Sequence, residues 1–370
     1  MSDRRVKIGI LGCGNISKAY ILTAQSFPIL EIAAVADIDV ERAKAKAKEY
    51  TLPRGCSVDE LLADKNIELV VNLTIPNAHA EVAIAALNAG KHVYNEKPLG
   101  ATMDEGKKIV EVARAKKLRV GCAPGTFLGG GLQTCRKLID EGAIGKPVAA
   151  TAFMTTPGHE RWHPSPEFYY EPGGGPMLDM GPYYITALAQ LLGPVKRVCG
   201  SAQIVKPDRT ITSDPKKGTK IHVQTPDHVT GVMEFSSGAV ATIMTSFAVW
   251  HARLPRIEIY GTDGTLSVPD PNTLRGPVQR RMSTDGDWRE EGLTHGHFDG
   301  NKWGIGVADL AYAIRSGRQH RANGENALHV LEVMHSFFES AKDGKHVAIG
   351  SSFARPAALP RGLKEDALDD

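Results

Sequence analysis

No apolar run in these 370 residues approaches the ~18 needed for a membrane-crossing helix, so no membrane partner is expected. Charge of one sign is missing too. Forty-four Lys and Arg face 42 Asp and Glu, a net charge of +2, and no basic block stands out. That balance argues against a nucleic-acid partner, whose phosphates call for a cationic face. Cysteine is sparse. Cys13, Cys56, Cys122, Cys135 and Cys199 are scattered, odd in number and form no C-x-x-C pair. A disulfide framework or a cysteine zinc site is therefore not expected, and a reducing cytoplasm is. The start, Met1-Ser2-Asp3-Arg4-Arg5, leads into a strand pattern without the apolar core of a signal peptide. Internal repeats and low-complexity tracts are lacking as well. What remains is 42% hydrophobic and 23% charged, ordinary for a globular protein and long enough for two domains with their own cores.

The first third alternates strand and helix patterns. Val6 to Leu11 is a short apolar run of the kind buried in parallel sheets, and it enters Gly12-Cys13-Gly14-Asn15-Ile16-Ser17. This is G-x-G-x-x-G with Ser17 for the third glycine. The first glycine permits the tight turn. The second lets the backbone approach a pyrophosphate, whose charge suits the start of the helix over Ile16 to Phe27. Glu31 to Ala36 reads as the next strand and ends at Asp37, 23 residues after Gly14. That is near the spacing of a carboxylate that accepts from the adenosine ribose. A carboxylate repels a 2′-phosphate and no Arg immediately follows, so NAD is preferred to NADP. Asp39 reads as a helix cap, as does Asn77, and Ser57/Glu60 and Thr102/Glu105 spell capping boxes. Strands follow at Ile67 to Leu73, Lys91 to Tyr94 and Leu118 to Cys122. The alternation predicts a doubly wound parallel sheet over residues 1–123. Its loops Thr74–Asn77 and Asn95–Pro98 fall at carboxyl ends of strands, where ligands bind in such sheets.

From 124 the texture changes. A helix at Leu128 to Glu141 precedes strand patterns at Pro147 to Met154, Val195 to Ile204, Lys220 to Gln224, Val229 to Phe235, Ala239 to Ala248, Arg256 to Tyr260 and Thr265 to Val268. Helices at Asn301 to Ser316 and Asn323 to Ala341 close this region. The reading is an α+β domain over 124–350, built on a largely antiparallel open sheet, with an irregular tail over 351–370. Inside it, Gly173-Gly174-Gly175 opens a helix carrying Asp179 and Tyr183, four apart and so on one face.

Five motifs in order, Gly12–Ser17, Asp37, Thr74–His79, Glu96-Lys97-Pro98 and Gly173–Tyr183, resemble the glucose–fructose oxidoreductase / inositol dehydrogenase / MocA family. Tyr260–Val268 and the closing helices fit as well. The resemblance implies a Rossmann domain, a C-terminal α/β domain, and homodimers or homotetramers formed through its sheet. It implies NAD(P)-linked oxidation or reduction of a carbohydrate-like substrate: a sugar, polyol, cyclitol or derivative. It places the cofactor on Gly12, Gly14, Asn15, Ile16, Asp37, Thr74, Ile75, Pro76, Asn77, His79, Glu96 and Lys97. It puts Lys97 beside the substrate and implies a cis Lys97–Pro98 bond. Family members commonly carry an Asp and, four residues on, a His; here these positions are Asp179 and Tyr183. A phenol titrates near ~10 in water, so Tyr183 needs a nearby cation to act as a base, and Lys97 is the candidate. Tyr183 or Asp179 then takes the hydroxyl proton as hydride leaves for nicotinamide.

Three segments call for weighing. Trp162 either borders the nicotinamide or sugar or packs in the core. His159-Glu160-Arg161-Trp162-His163 spells H-E-x-x-H, but Pro157 and Gly158 before it and Pro164 and Pro166 after it leave about one turn, too short a helix for zinc, so no metal is expected. His295-Gly296-His297 reads as a solvated turn. Two alternatives stand beside the NAD-dependent dehydrogenase: an NADPH-dependent keto-sugar reductase, and a cofactor- or sugar-sensing regulatory protein on the same scaffold.

Overall fold

The computed structural model describes residues 5–296, 302–364 and 366–369. Its first domain runs β1 (Val6–Leu11), α1 (Ser17–Ser26), β2 (Leu30–Ala36), α2 (Val40–Glu49), β3 (Gly55–Cys56), α3 (Val58–Ala63), β4 (Leu69–Asn72), α4 (His79–Asn88), β5 (His92–Asn95), α5 (Met103–Ala115) and β6 (Val120–Cys122). All six strands are parallel, in the order β3-β2-β1-β4-β5-β6. The apolar runs are buried on both faces, as helix-covered strands must be. Strand order reverses at β1, so a crevice opens between the loops after β1 and β4. Register brings the strand ends level: Leu11 pairs with Ala36 and Asn72, Asn72 with Asn95, and Asn95 with Cys122. Gly12, Asp37, Thr74 and Glu96 therefore emerge on one rim.

Local signals set most helix starts. Ser57/Glu60 and Thr102/Glu105 form complete capping boxes, and Asp39 accepts from the Arg42 amide. Asn77 differs from its expected role. A short 3₁₀ turn over Pro76–Ala78 takes its place, and α4 begins at His79 without a side-chain cap.

The second domain continues with α6 (Gly130–Asp140), β7 (Pro147–Thr155), α7 (Gly175–Leu192), β8 (Val195–Gln203), β9 (Asp208–Thr210), β10 (Lys220–His222), β11 (His228–Phe235), β12 (Val240–Ser246), β13 (Ile257–Gly261), β14 (Gly264–Val268), β15 (Val278–Met282), β16 (Arg289–Glu291), α8 (Ile305–Ser316), α9 (Gly324–Asp343) and β17 (Val347–Ala348). Nine strands form one sheet, β16-β15-β14-β13-β7-β12-β11-β8-β17. It is mostly antiparallel, with β7 and β12 running parallel at its centre. Val229, Met233, Ala241 and Ile243 are buried on the face packed by α7, while Thr230, Val232 and Thr242 point the other way.

Several details depart from the sequence reading. Lys220–His222 leaves the large sheet and pairs with β9 in a separate ribbon. The edge strands β16 and β17, and β15 beside β16, are polar or very short and carry no apolar alternation to announce them. The expected helix start at Asn301 lies outside the described residues, and α8 begins at Ile305. The tail from Ser351 is irregular as expected, yet docked: Phe353, Leu359 and Leu368 are buried, and Arg318 pairs with Asp369. His295 is buried against the Leu359 carbonyl, 3.1 Å away, rather than solvated; His297 lies outside the described residues. Helix α9 packs on both β8 and the first domain's α5 and β6, which ties the two domains together. Among the described residues no helix is long and apolar enough to cross a membrane.

Candidate active site

The glycine loop is tight behind and open in front. Gly12 has φ +97°, and a Cβ there would lie 2.6 Å from the Leu73 carbonyl oxygen. Nothing lies within 4 Å of a Cβ built on Gly14. Asn15 and Ile16 carry the chain from this opening into α1. Ser17 is buried and its hydroxyl donates to the Gly14 carbonyl at 2.6 Å, so it serves where the motif has glycine. Asp37 is pinned at the end of β2, where its carboxylate accepts from the Cys13 amide (2.9 Å) and the Asp39 amide (3.1 Å). Arg42, in the first turn of α2, also reaches it at 3.3 Å, an arginine that the absence of one directly after Asp37 does not reveal. Burial and Asp37 push the Cys13 thiol up to about 11, which leaves it unreactive at neutral pH. Ile38 (93% exposed) and Ile75 (70%) present bare apolar surface beside this loop.

Thr74–Asn77 is braced from below. The Thr74 hydroxyl donates to Asn72 (2.7 Å), and the Asn72 amide donates to Asn95 (3.0 Å), both buried at the strand ends. His79 does not face the rim. Its ring nitrogens lie 2.7 Å from the Pro98 carbonyl and 3.0 Å from that of Thr74, and burial lowers its pKa. The ring joins two loops and keeps no nitrogen for a cofactor. Across the crevice, a Cβ on Gly173 would sit 3.7 Å from the Asn77 side-chain oxygen, so the second domain's glycine loop comes up to this one beside Pro76.

Lys97 follows β5, and its peptide bond to Pro98 is cis. Glu96 accepts from the Tyr20 hydroxyl (2.5 Å) and the Lys97 amide (2.9 Å). The Lys97 ammonium donates to the Asp179 carboxylate (2.6 Å) and to the Asp179 carbonyl (2.8 Å). Two of its three donors are thus engaged by α7 and one is left. The other Asp179 oxygen, 3.1 Å away, belongs to His159 Nε2. The Trp162 indole donates to His159 Nδ1 at 3.3 Å, and an indole N–H only donates, so Nε2 bears the proton and donates to Asp179. Tyr183 sits differently from its expected part. Lys97 lies over its ring, 5.6 Å from the centroid, and its hydroxyl makes no hydrogen bond with a described residue.

His159 is held as firmly as Asp179. Its ring packs between Tyr169 and Phe247, 4.3 and 4.4 Å between centroids. Its backbone amide donates to the Tyr170 hydroxyl (3.0 Å), which in turn donates to Glu160. Glu160 pairs with Arg209 (3.0 Å) and Arg209 with Asp227 (2.6 Å), all buried. The two histidines of H-E-x-x-H do not converge. A 3₁₀ turn over His159–Arg161 sends His159 to Asp179, while His163 accepts from the Ser165 amide.

A Rossmann rim whose lysine meets an aspartate from a second, open-sheet domain has a counterpart among known proteins. Residues 6–123 match the model described as oxidoreductase family, NAD-binding Rossmann fold, and residues 132–267 match that of the GFO/IDH/MocA C-terminal domain. The chain belongs to the Gfo/Idh/MocA oxidoreductase family. It is 27% identical over 350 residues to 1,5-anhydro-D-fructose reductase of Ensifer adhaerens, covering 92% of this chain and 98% of that one. It is 30% identical to dTDP-3,4-didehydro-2,6-dideoxy-alpha-D-glucose 3-reductase of Streptomyces violaceoruber, covering 85% and 87%. In fold it is similar to levoglucosan dehydrogenase solved with NADH and levoglucosan, with a TM-score of 0.80 at 22% identity, over 94% of this chain and 100% of that one. As a Gfo/Idh/MocA protein it is an NAD-binding enzyme of the oxidoreductase class.

Charge in this family member's site is ordered by burial and pairing. Burial alone would raise Asp179, but Lys97 and His159 outweigh it and hold the carboxyl well below the usual range. Burial alone would lower Lys97, but Asp179 and Glu96 outweigh it and the ammonium is held above its ordinary value. Tyr183 moves the other way from an activated phenol. Burial, Glu96 and Asp179 push it well above 10. Tyr169 is raised by burial and Asp179 against a smaller opposing pull from Lys97. At neutral pH the Lys97 ammonium and the Asp179 carboxylate thus face two un-ionised phenols, Tyr183 and Tyr169. Such a set donates protons and hydrogen bonds to an oxygen more readily than it withdraws them. His159 was hidden in the sequence, since its only local signal was a zinc-like spelling and its contact with Asp179 depends on the folded loop.

Proposed function

We propose that this enzyme interconverts a hydroxyl and a ketone on a sugar, polyol, cyclitol or derivative, using NAD, with Lys97 as the proton-transferring group. The observation that carries this is the Lys97 ammonium at the carboxyl end of β5, tied twice to Asp179 with one donor left over. The names of the relatives, reductases and dehydrogenases of sugars and inositol, support the substrate class.

The residues present fit NAD. The open front of Gly14 has room for a pyrophosphate, Asp37 offers a carboxylate to ribose hydroxyls, and Ile38 and Ile75 offer apolar surface that a purine ring would cover. When bound, NAD supplies the two-electron exchange. The chain supplies the rest. In the reductive direction Lys97 gives a proton to the substrate oxygen as charge builds there, and Asp179 keeps the ammonium aimed. His159 fixes the Asp179 carboxylate in turn. The Tyr183 and Tyr169 hydroxyls remain available as hydrogen-bond donors, and exposed Trp162 offers a ring face for a sugar. In the oxidative direction Lys97 must first lose a proton, which its pairing with Asp179 opposes. These residues favour reduction of a ketone.

Arg42 supports a second reading for the cofactor. It neutralises Asp37 and can turn to a 2′-phosphate, which makes NADP a competing choice. The uncovered face of the nine-stranded sheet is the proposed surface for self-association, and the cytoplasm the proposed location. A panel of sugars and cyclitols with NAD, and of keto-sugars with NADH, read by NADH absorbance, tests the activity. Turnover of at least one member is expected, and silence across a broad panel would favour the regulatory alternative. Titration of wild type and Asp37→Ala with both cofactors decides between NAD and NADP.

A further inference from the structure

We infer that the substrate carries an anionic group, received just outside the catalytic residues by Arg161, Lys206 and the Trp250 ring; this rests on the sugar-oxidoreductase reading above. Two chain segments that grip His159 lead directly to this patch. Arg161 is two residues past His159 and next to Trp162, whose indole holds the imidazole. Trp250 is three residues past Phe247, whose ring packs on the same imidazole. The segments are stitched together by the Val249 amide on the Thr156 carbonyl (3.2 Å), and the Thr212 amide on the Glu160 carbonyl (2.8 Å) ties the first of them to the stretch after β9.

On this frame the Arg161 guanidinium lies 4.8 Å and the Lys206 ammonium 4.9 Å from the centroid of the Trp250 ring. Neither cation has a carboxylate partner among the described residues, whereas buried Arg209 close by has two. Two like charges gathered about one ring repel each other, and an anion bound near both offsets that repulsion. Lys206 is not loosely placed, because Asp227 accepts from the Val205 and Lys206 amides. Trp250 is 55% exposed, and Trp162, the residue after Arg161, is 60% exposed. Bare aromatic faces flanked by unpaired cations suit a sugar whose apolar face stacks and whose carboxylate or phosphate takes charge-assisted hydrogen bonds.

The test titrates the enzyme–NADH complex with D-glucose, D-glucuronate and D-glucose 6-phosphate at fixed ionic strength, in wild type and in the Arg161→Ala/Lys206→Ala double variant. We expect at least one anion to bind about ten-fold or more tighter than glucose in wild type, as charged hydrogen bonds would give. The double variant should bring that anion to within about two-fold of glucose with NADH affinity unchanged, and added salt should erode the preference. Whether glucuronate or the phosphate gains most tells which anion the patch is built for. Equal binding of all three, no binding of either anion, or a preference that survives in the double variant would overturn the inference while leaving the sugar-oxidoreductase reading in place. A chain that binds neither NADH nor NADPH would overturn that reading, and the inference with it.

Discussion

Asp179 spends both carboxylate oxygens on cations or N–H donors, one on Lys97 and one on His159, and this sets what each neighbour can do. With Lys97 aimed at Asp179 and only the ring of Tyr183 beneath it, the phenol has no cation to draw off its proton. Tyr183→Phe should then cost only a hydrogen bond, ~0.5–1.5 kcal/mol or about two- to thirteen-fold in kcat/KM. A loss of a thousand-fold in steady-state kinetics would restore Tyr183 as the proton carrier. Asp179 also governs the pH range. Burial lowers the Lys97 pKa, and Asp179 is the first of the groups that reverse it. In Asp179→Asn that support is gone, the Lys97 pKa falls, and the acid form is lost at lower pH. The basic limb of the pH profile for ketone reduction should therefore move toward neutrality. An unmoved limb would mean that another group supplies the proton.

At the scale of elements, the parts legible in the sequence are those that local chemistry dictates. β1, β2, β4, β5 and β6 are largely buried and read as apolar runs, whereas the two-residue β3 (Gly55–Cys56) offers no such run and was not legible; two capping boxes and Asp39 mark helix starts. The strands near the sheet's margins were not legible: β15, though paired on both sides, carries Gln279-Arg280-Arg281 and so no hydrophobic pattern. Lys97 and Asp179 could be named from their motifs, but their meeting could not, because 82 residues separate them. His159 and Arg42 were invisible as site residues, since each acts through a loop or helix turn whose direction only the packed fold sets. The start of α7 shows how tightly such a direction is held. Gly175 has φ +85°, and a Cβ there would lie 2.7 Å from the Pro226 carbonyl oxygen. Gly175→Ala should cost ~1–3 kcal/mol and lower Tm by about 2–6 °C. Calorimetry showing no change would mean that the helix start can shift at no cost.

Taken whole, the molecule builds its site from two domains: the Rossmann rim brings Lys97, and the open-sheet domain brings Asp179, Tyr183 and His159. The second set depends on the buried Arg209 and its two carboxylates. Arg209→Ala leaves Glu160 and Asp227 buried without their cation, which costs ~3–5 kcal/mol in typical proteins. A clear fall in Tm is expected on thermal melting, with a parallel fall in turnover as the His159 loop loosens; an unchanged Tm would show that water or another cation replaces the guanidinium. The assembly sets Lys97 against Asp179, which neither domain alone could do, and on the proposed mechanism this lysine moves the proton. The most direct test is single-turnover reduction of a ketone substrate by NADH in wild type and Lys97→Ala, with NADH affinity measured alongside. The rate should fall by ~10² or more, with NADH affinity within a few-fold of wild type. A rate within a few-fold of wild type would contradict that mechanism.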